Sequence, residues 1–158
     1  MSVNKFHPHI LVLPEDKANR ELANGFHLEV SLTRRMQVLP VAGGWNEVLN
    51  QFRLVHVAEM AHHQNRFMVL LIDCDGKGER LDYARESIPE DLRSRVFILG
   101  VWSEPEDLRR ELGSFETIGR NMAKDCRDET DAIWKHNLLR HNLIELARLR
   151  QHAGDILF

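Results

Sequence analysis

Four short apolar runs punctuate the chain: residues 9–13 (HILVL), 36–42 (MQVLPVA), 67–72 (FMVLLI) and 95–102 (RVFILGVW). Each is nearly continuous in apolar character and ends at Gly, Pro or an acid. Strands covered on both faces read this way, whereas half-exposed strands alternate apolar and polar positions. Between the runs the period changes. Ala18, Leu22, Ala23 and Phe26 recur at three- and four-residue steps, with Asp16 placed as a cap and Gly25 near the stop. Trp45, Val48, Leu49, Phe52 and Val55 form a second such stripe. Further helices are expected from near Gly78 and from Pro105, because proline suits a first helical turn. Strand–helix alternation predicts right-handed crossovers and a parallel sheet flanked by helices on both faces. The expected fold class is therefore α/β, a Rossmann-like sheet of about four strands. After Gly113 the pattern is helical only. Residues 131–151 read as one amphipathic helix with Trp134, Leu138, Leu139, Leu143, Leu146 and Leu149 on a broad apolar face. A single domain over residues 1–158 is expected, with an α/β core at 9–112 and a helical extension at 113–158.

Composition narrows the function classes. A chain of 158 residues with 43% apolar content has the mass for one real core. No apolar run approaches the ~20 residues of a membrane span, and residues 1–10 lack a signal-peptide core. Cys74 and Cys126 are the only cysteines and no CxxC occurs, which excludes a disulfide scaffold and points to a reducing, cytoplasmic setting. Lys and Arg number 21 against 24 Asp and Glu, for a formal charge of -3, so bulk charge does not attract phosphates.

Open parallel sheets place ligands beyond the carboxyl ends of their strands, so the residues after each run carry most of the chemistry. The first run is followed by Pro14-Glu15-Asp16, the third by Asp73-Cys74-Asp75-Gly76-Lys77, and the fourth by Ser103-Glu104-Pro105-Glu106-Asp107. The second ends in Gly43-Gly44. Clustered carboxylates repel one another and must take up protons or a cation. Hard oxygen donors suit Mg2+, Mn2+ or Ca2+. An Asp-x-Asp pair at a strand terminus puts both side chains on one side of the pleat. Asp73 and Asp75 are thus expected to share an ion while Cys74 points into the packing. Each acid also has a plainer explanation. Asp and Gly favour turns, an acid such as Glu15 favours a helix N-terminus, and Ser103 followed by Pro105 and two acids is a common helix start. Gly43-Gly44 reads either as a tight strand-to-helix turn or as backbone amides approaching a phosphate. No dinucleotide fingerprint and no P-loop occurs.

The histidines and paired arginines have plain explanations as well. His136 and His141 lie five apart, not on one helical face as a zinc pair requires. His62-His63 sit at a helix end, where they meet free carbonyls. Arg34-Arg35 and Arg109-Arg110 suit solvated faces as well as a phosphate backbone.

The acidic pattern resembles the Toprim fold, most closely the small variants related to the nuclease half of overcoming-lysogenization-defect (OLD) proteins. That family carries a glutamate after its first strand and an Asp-x-Asp after its third. Residues 11–15 (LVLPE) match the first, residues 70–76 (LLIDCDG) the second, and residues 41–44 (VAGG) look like the glycine turn between them. The resemblance spans about residues 9–107 and implies Mg2+ (or Mn2+) held by Asp73 and Asp75. It makes Glu15 a further ligand or general acid/base in making or breaking phosphodiester bonds. OLD-like members add acids after the fourth strand, represented here by Glu104 and Glu106 at a second ion site. They also add a basic residue, for which Lys77, Arg80 and Lys124 are candidates. Gly43, Gly44 and Lys77 would then face phosphate. Asp16 stands where the family usually has glycine.

The function the resemblance implies is a metal-dependent nuclease acting on DNA or RNA. OLD proteins carry an ATPase module and none is expected ahead of this domain, so a separate ATPase subunit or a homodimer is the expected complement. Two alternatives belong to other classes. One is a catalytically weak partner subunit whose C-terminal helix is the interface. The other is a receiver-like phospho-acceptor built on Glu15-Asp16, Asp73 and Ser103. A receiver needs a fifth strand ending in lysine, and the residues after Gly113 read as helix.

Overall fold

The computed structural model describes residues 2–158. Strands β1 (His9–Pro14), β2 (Met36–Val38), β3 (Arg66–Leu71) and β4 (Val96–Leu99) form one all-parallel sheet in the order β2-β1-β3-β4. The fold is α/β and Rossmann-like, as the sequence predicts. In the sheet Val12 pairs with Val38 and Val69, and Leu70 pairs with Ile98.

Both faces of the sheet are covered, which explains why the runs are continuous rather than alternating. Ile10, Val12, Val69, Phe97 and Leu99 enter one core with α1 (Lys17–Leu28), α5 (Pro105–Leu112), α6 (Phe115–Asp128) and α7 (Leu143–Leu157). Leu11, Leu13, Met68, Leu70, Val96 and Ile98 enter the other with α2 (Trp45–Gln51), α3 (Val57–His62) and α4 (Gly78–Glu86). Among the described residues no helix is long and apolar enough to cross a membrane.

Four local expectations are corrected. The second run forms a strand only at Met36–Val38. Pro40 has no N–H to give, although the Leu39 and Ala42 amides still bond to β1 carbonyls. Gly25 does not stop α1, which continues to Leu28. Instead it lets α6 approach: a Cβ at Gly25 would strike the Glu116 backbone, and one at Gly119 would strike the Leu22 carbonyl. Between α2 and α3 lies a π-helical turn, Phe52–His56, whose wider winding shifts the face that follows. Phe52 is buried, but Leu54 and Val55 are 75% and 52% exposed. Finally, residues 131–151 are not one helix. Turns and a 3-10 segment (Arg140–Asn142) precede α7, which begins at Leu143.

Tertiary contacts compete with helix in that last stretch. The Trp134 indole donates to the Met122 carbonyl, and the Trp102 amide donates to the Leu138 carbonyl. Asn142 is buried against the end of β4, accepting from the Gly100 amide and donating to the Gly100 carbonyl. One helical turn on, the Glu145 carboxylate accepts from the Ile98 amide. These side chains cover the β4 edge of the sheet, where unpaired backbone groups could template pairing with another chain.

The α1–α6 contact generates a stability prediction. Gly119→Ala should cost about 1–3 kcal/mol in denaturant unfolding, because the added methyl overpacks a helix–helix seam. Gly154→Ala, in α7 with nothing within 4 Å of the new Cβ, should be neutral or raise stability by up to ~1 kcal/mol.

Candidate metal centre

Beyond β1 the chain crosses on the α1 face to β2; beyond β3 it crosses on the α4 face to β4. The strand order therefore reverses between β1 and β3, and the crevice at such a switch point is where α/β sheets bind ligands. Glu15 and Asp73 flank it.

Local backbone explains how they meet. Past β3 the chain stays extended beside the end of β4, with the Ile72 amide bonded to Leu99 and the Cys74 amide to Val101. Ile72 and Cys74 point into the α4-side core, so the two-residue period turns Asp73 to the α1 side. There its carboxylate accepts from the Asn19 side-chain amide at 2.9 Å and from the Val101 N–H at 3.4 Å. Its own N–H donates to the Glu15 carboxylate at 2.8 Å. Asp16 caps α1, accepting from the Asn19 backbone and side chain at 2.9 and 3.0 Å. One oxygen from each of Glu15, Asp16 and Asp73 lies within 4.8 Å of the others.

Asp75 does not join them. The same two-residue period would bring it to the side of Asp73, but its φ of 50° ends the extended run. The amides of Gly76 and Lys77 close a turn there, bonding to Trp102 and Cys74, and Asp75 is exposed. Glu104 and Glu106, at the start of α5, are exposed and outside the converging group too. The α5 cap is Glu104 rather than Ser103, whose hydroxyl donates instead to Asp107. Gly43 and Gly44 donate their amides to the Glu15 carbonyl at 2.9 and 3.2 Å. Their φ values of 101° and 142°, with open space where a Cβ would stand, show that backbone conformation demands glycine there. Those N–H groups hold the Glu15 turn and do not point at a ligand.

Of the three candidate basic residues the structure brings Arg80 to the centre. It donates to the Asp73 carbonyl at 2.8 Å, with its guanidinium 4.8 Å over the Trp45 ring. Lys77 and Lys124 are exposed at the start of α4 and on α6. Sequence reasoning grouped Asp16 with Glu15 and Asp73 only in the receiver-like alternative, otherwise reading it as a cap, and missed Asn19 altogether. A polar residue on the apolar stripe of α1, three positions after the cap, is the signal that marks Asn19.

The electrostatics separate this cluster from a structural ion pair. Glu145 is equally buried at 7%, but Arg148 lies 2.6 Å from it. Among the described residues no cation pairs with the Glu15, Asp16 or Asp73 carboxylates; Arg80 bonds the Asp73 backbone, not its carboxylate. Asp73 is pushed up to about 8, first by burial and then by the neighbouring charges of Glu15 and Asp16. Glu15 is also raised, first by burial and also by Asp16, against the bond it accepts from the Asp73 amide and the charge of Arg80. Hydrogen bonds to a charged group return ~1.5–3 kcal/mol each, while desolvating a carboxylate costs several. Here desolvation and repulsion win, and the anionic pair needs a proton or a cation. The donor set is all oxygen, which fits a hard divalent ion. Asn19 adds an Oδ1 that is buried and without a partner. Cys74 is no nucleophile, since burial pushes its thiol up to about 12.

No protein-family model matches the chain, and neither a curated protein nor a solved structure matches it.

The raised acid predicts an inverted pH dependence. With Asp73 near 3.8 unfolded and about 8 folded, the native state holds the extra proton between those values. Stability supplied by that proton is complete below pH about 4 and lost as pH rises through 8. Metal-free unfolding free energy should therefore fall across this window, with Asp73 contributing a slope of up to ~1.4 kcal/mol per pH unit. Asp73→Asn should remove that component.

Proposed function

We propose that the chain performs divalent-metal-dependent phosphodiester chemistry on nucleic acid, as a Toprim-like nuclease. The observation that carries the reading is Asp73, buried beside Glu15 at the sheet's switch point, with no cation on either carboxylate and with Arg80 alongside. Asp73 and Asp16 are the residues that would hold Mg2+ or Mn2+, with Asn19 Oδ1 as a further oxygen. The ion would supply Lewis-acid stabilisation of charge on a phosphate. Glu15, whose carboxylate keeps its proton above the usual range, is suited to accept and return a proton at the attacking or leaving oxygen. Arg80, over the Trp45 ring, has N–H groups left over for a non-bridging phosphate oxygen.

A second reading, a partner subunit working with a separate ATPase or nucleic-acid-binding protein, is favoured by Leu54 and Val55. These side chains stand in solvent at the π-turn between α2 and α3.

Calorimetric titration with Mg2+ and Mn2+ separates the readings. The wild type should bind saturably, Asp73→Asn should lose at least about tenfold in affinity, and Glu15→Gln should keep the metal but lose cleavage of labelled oligonucleotides. Absence of wild-type binding up to about 10 mM would overturn the metal centre. Saturable binding with no cleavage of any DNA or RNA probe would favour the partner subunit.

A further inference from the structure

We infer that Trp45, Arg80 and Tyr83, on the α2–α4 rim of this centre, form a stacking subsite for one unpaired nucleobase, so that the substrate is single-stranded at the reacting phosphate. This inference rests on the phosphodiester reading for its chemistry but is tested separately from it.

Three planar groups are assembled before any ligand arrives. The Trp45 and Tyr83 rings meet edge to face, with centroids 5.9 Å apart at 85°. The Arg80 guanidinium covers Trp45 at 4.8 Å. Such edge-to-face and cation–π contacts fix ring orientation as well as adding energy. The cluster is also anchored to the acids. Arg80 holds the Asp73 carbonyl, and Trp45 directly follows the Gly43-Gly44 turn whose amides bond the Glu15 carbonyl. A group seated on this rim is therefore in register with the metal centre.

Exposure shows which member is free to receive a ligand. On α4, Leu81 and Ala84 are buried against the sheet, whereas Tyr83 is 52% exposed. A half-exposed aromatic ring, braced by a second ring and next to an arginine, is how sequence-tolerant single-strand sites are built. Every base offers a π-face, and the cation follows the backbone. A paired base in a duplex has both faces occupied by its neighbours and offers none. The chain's net charge of -3 gives no general attraction for phosphate, so selectivity must come from a local arrangement such as this.

The test is fluorescence anisotropy in Ca2+ with a labelled 12-nucleotide DNA strand of mixed sequence, compared with its duplex. The full chain should bind the strand at least about tenfold tighter than the duplex. Tyr83→Ala should weaken strand binding about tenfold and leave duplex binding unchanged, with circular dichroism melting confirming the fold. Tyr83→Phe should restore strand binding, because stacking needs the ring and not the hydroxyl. Equal affinity for strand and duplex, no binding of either, or strand affinity indifferent to Tyr83→Ala would each overturn the subsite. Mg2+-dependent cleavage that ignores Tyr83 and strandedness would sink the subsite and leave the phosphodiester reading standing. Selective strand binding without cleavage would do the reverse.

Discussion

A buried carboxylate without a counter-ion is the constraint on which the rest of this structure turns. Asp73 sits where β1, β3, the end of β4 and the start of α1 converge, and its contacts reach all four. It takes hydrogen bonds from Asn19 on α1 and Val101 after β4, and its amide is bound by Glu15 after β1. Burial and the neighbouring acids oppose charge there, and they outweigh the hydrogen bonds from Asn19 and Val101 that favour it. The contrast with Glu145 is instructive. The same depth of burial becomes an ordinary structural feature once Arg148 is beside it. An acid left without such a partner lowers the stability of the metal-free fold when it ionises, and with Glu15 and Asp16 it makes a group that could hold a metal ion.

Holding that arrangement requires rigid surroundings. The Gly43-Gly44 turn grips the Glu15 carbonyl, and the α1 cap orients Asp16 and Asn19. Behind α1, Gly119 and Gly25 let α6 lie so close that α1 has little freedom to shift. On the far edge Asn142 and Glu145 occupy the open amides of β4. The segment after Gly113 thus completes one face of the sheet and closes its edge. On the α2–α4 side, Trp45, Arg80 and Tyr83 pack against one another, and Arg80 ties them to the Asp73 carbonyl.

Much of this was legible along the chain. Four apolar runs predict four strands because strands buried on both faces have no polar alternation to hide them. The acids after the first and third runs predict a site because parallel strands all end on one side. Other features were not legible. The Asp73–Asp75 pairing assumes an extended backbone, and a single left-handed residue at Asp75 removes it. Gly25 looked like a helix stop because a sequence does not show which helix packs against which. Residues 131–142 carry a helical pattern that is overridden by the Trp134 and Leu138 bonds to distant backbone.

By itself, then, the sequence determined the layered α/β class, the chain order of strands and helices, and the acidic character of the sheet's carboxyl end. These follow from local periodicity and from the chemistry of single residue types. Packing alone brings Asp16 and Asn19, and not Asp75, to the Glu15 and Asp73 carboxylates, sets Arg80 on the Asp73 backbone carbonyl, and leaves Tyr83 half in solvent. The reason is physical: side-chain convergence depends on which strands become neighbours and where extended backbone gives way to a turn. Both are settled by packing between segments more than fifty residues apart, such as Asn19 and Asp73.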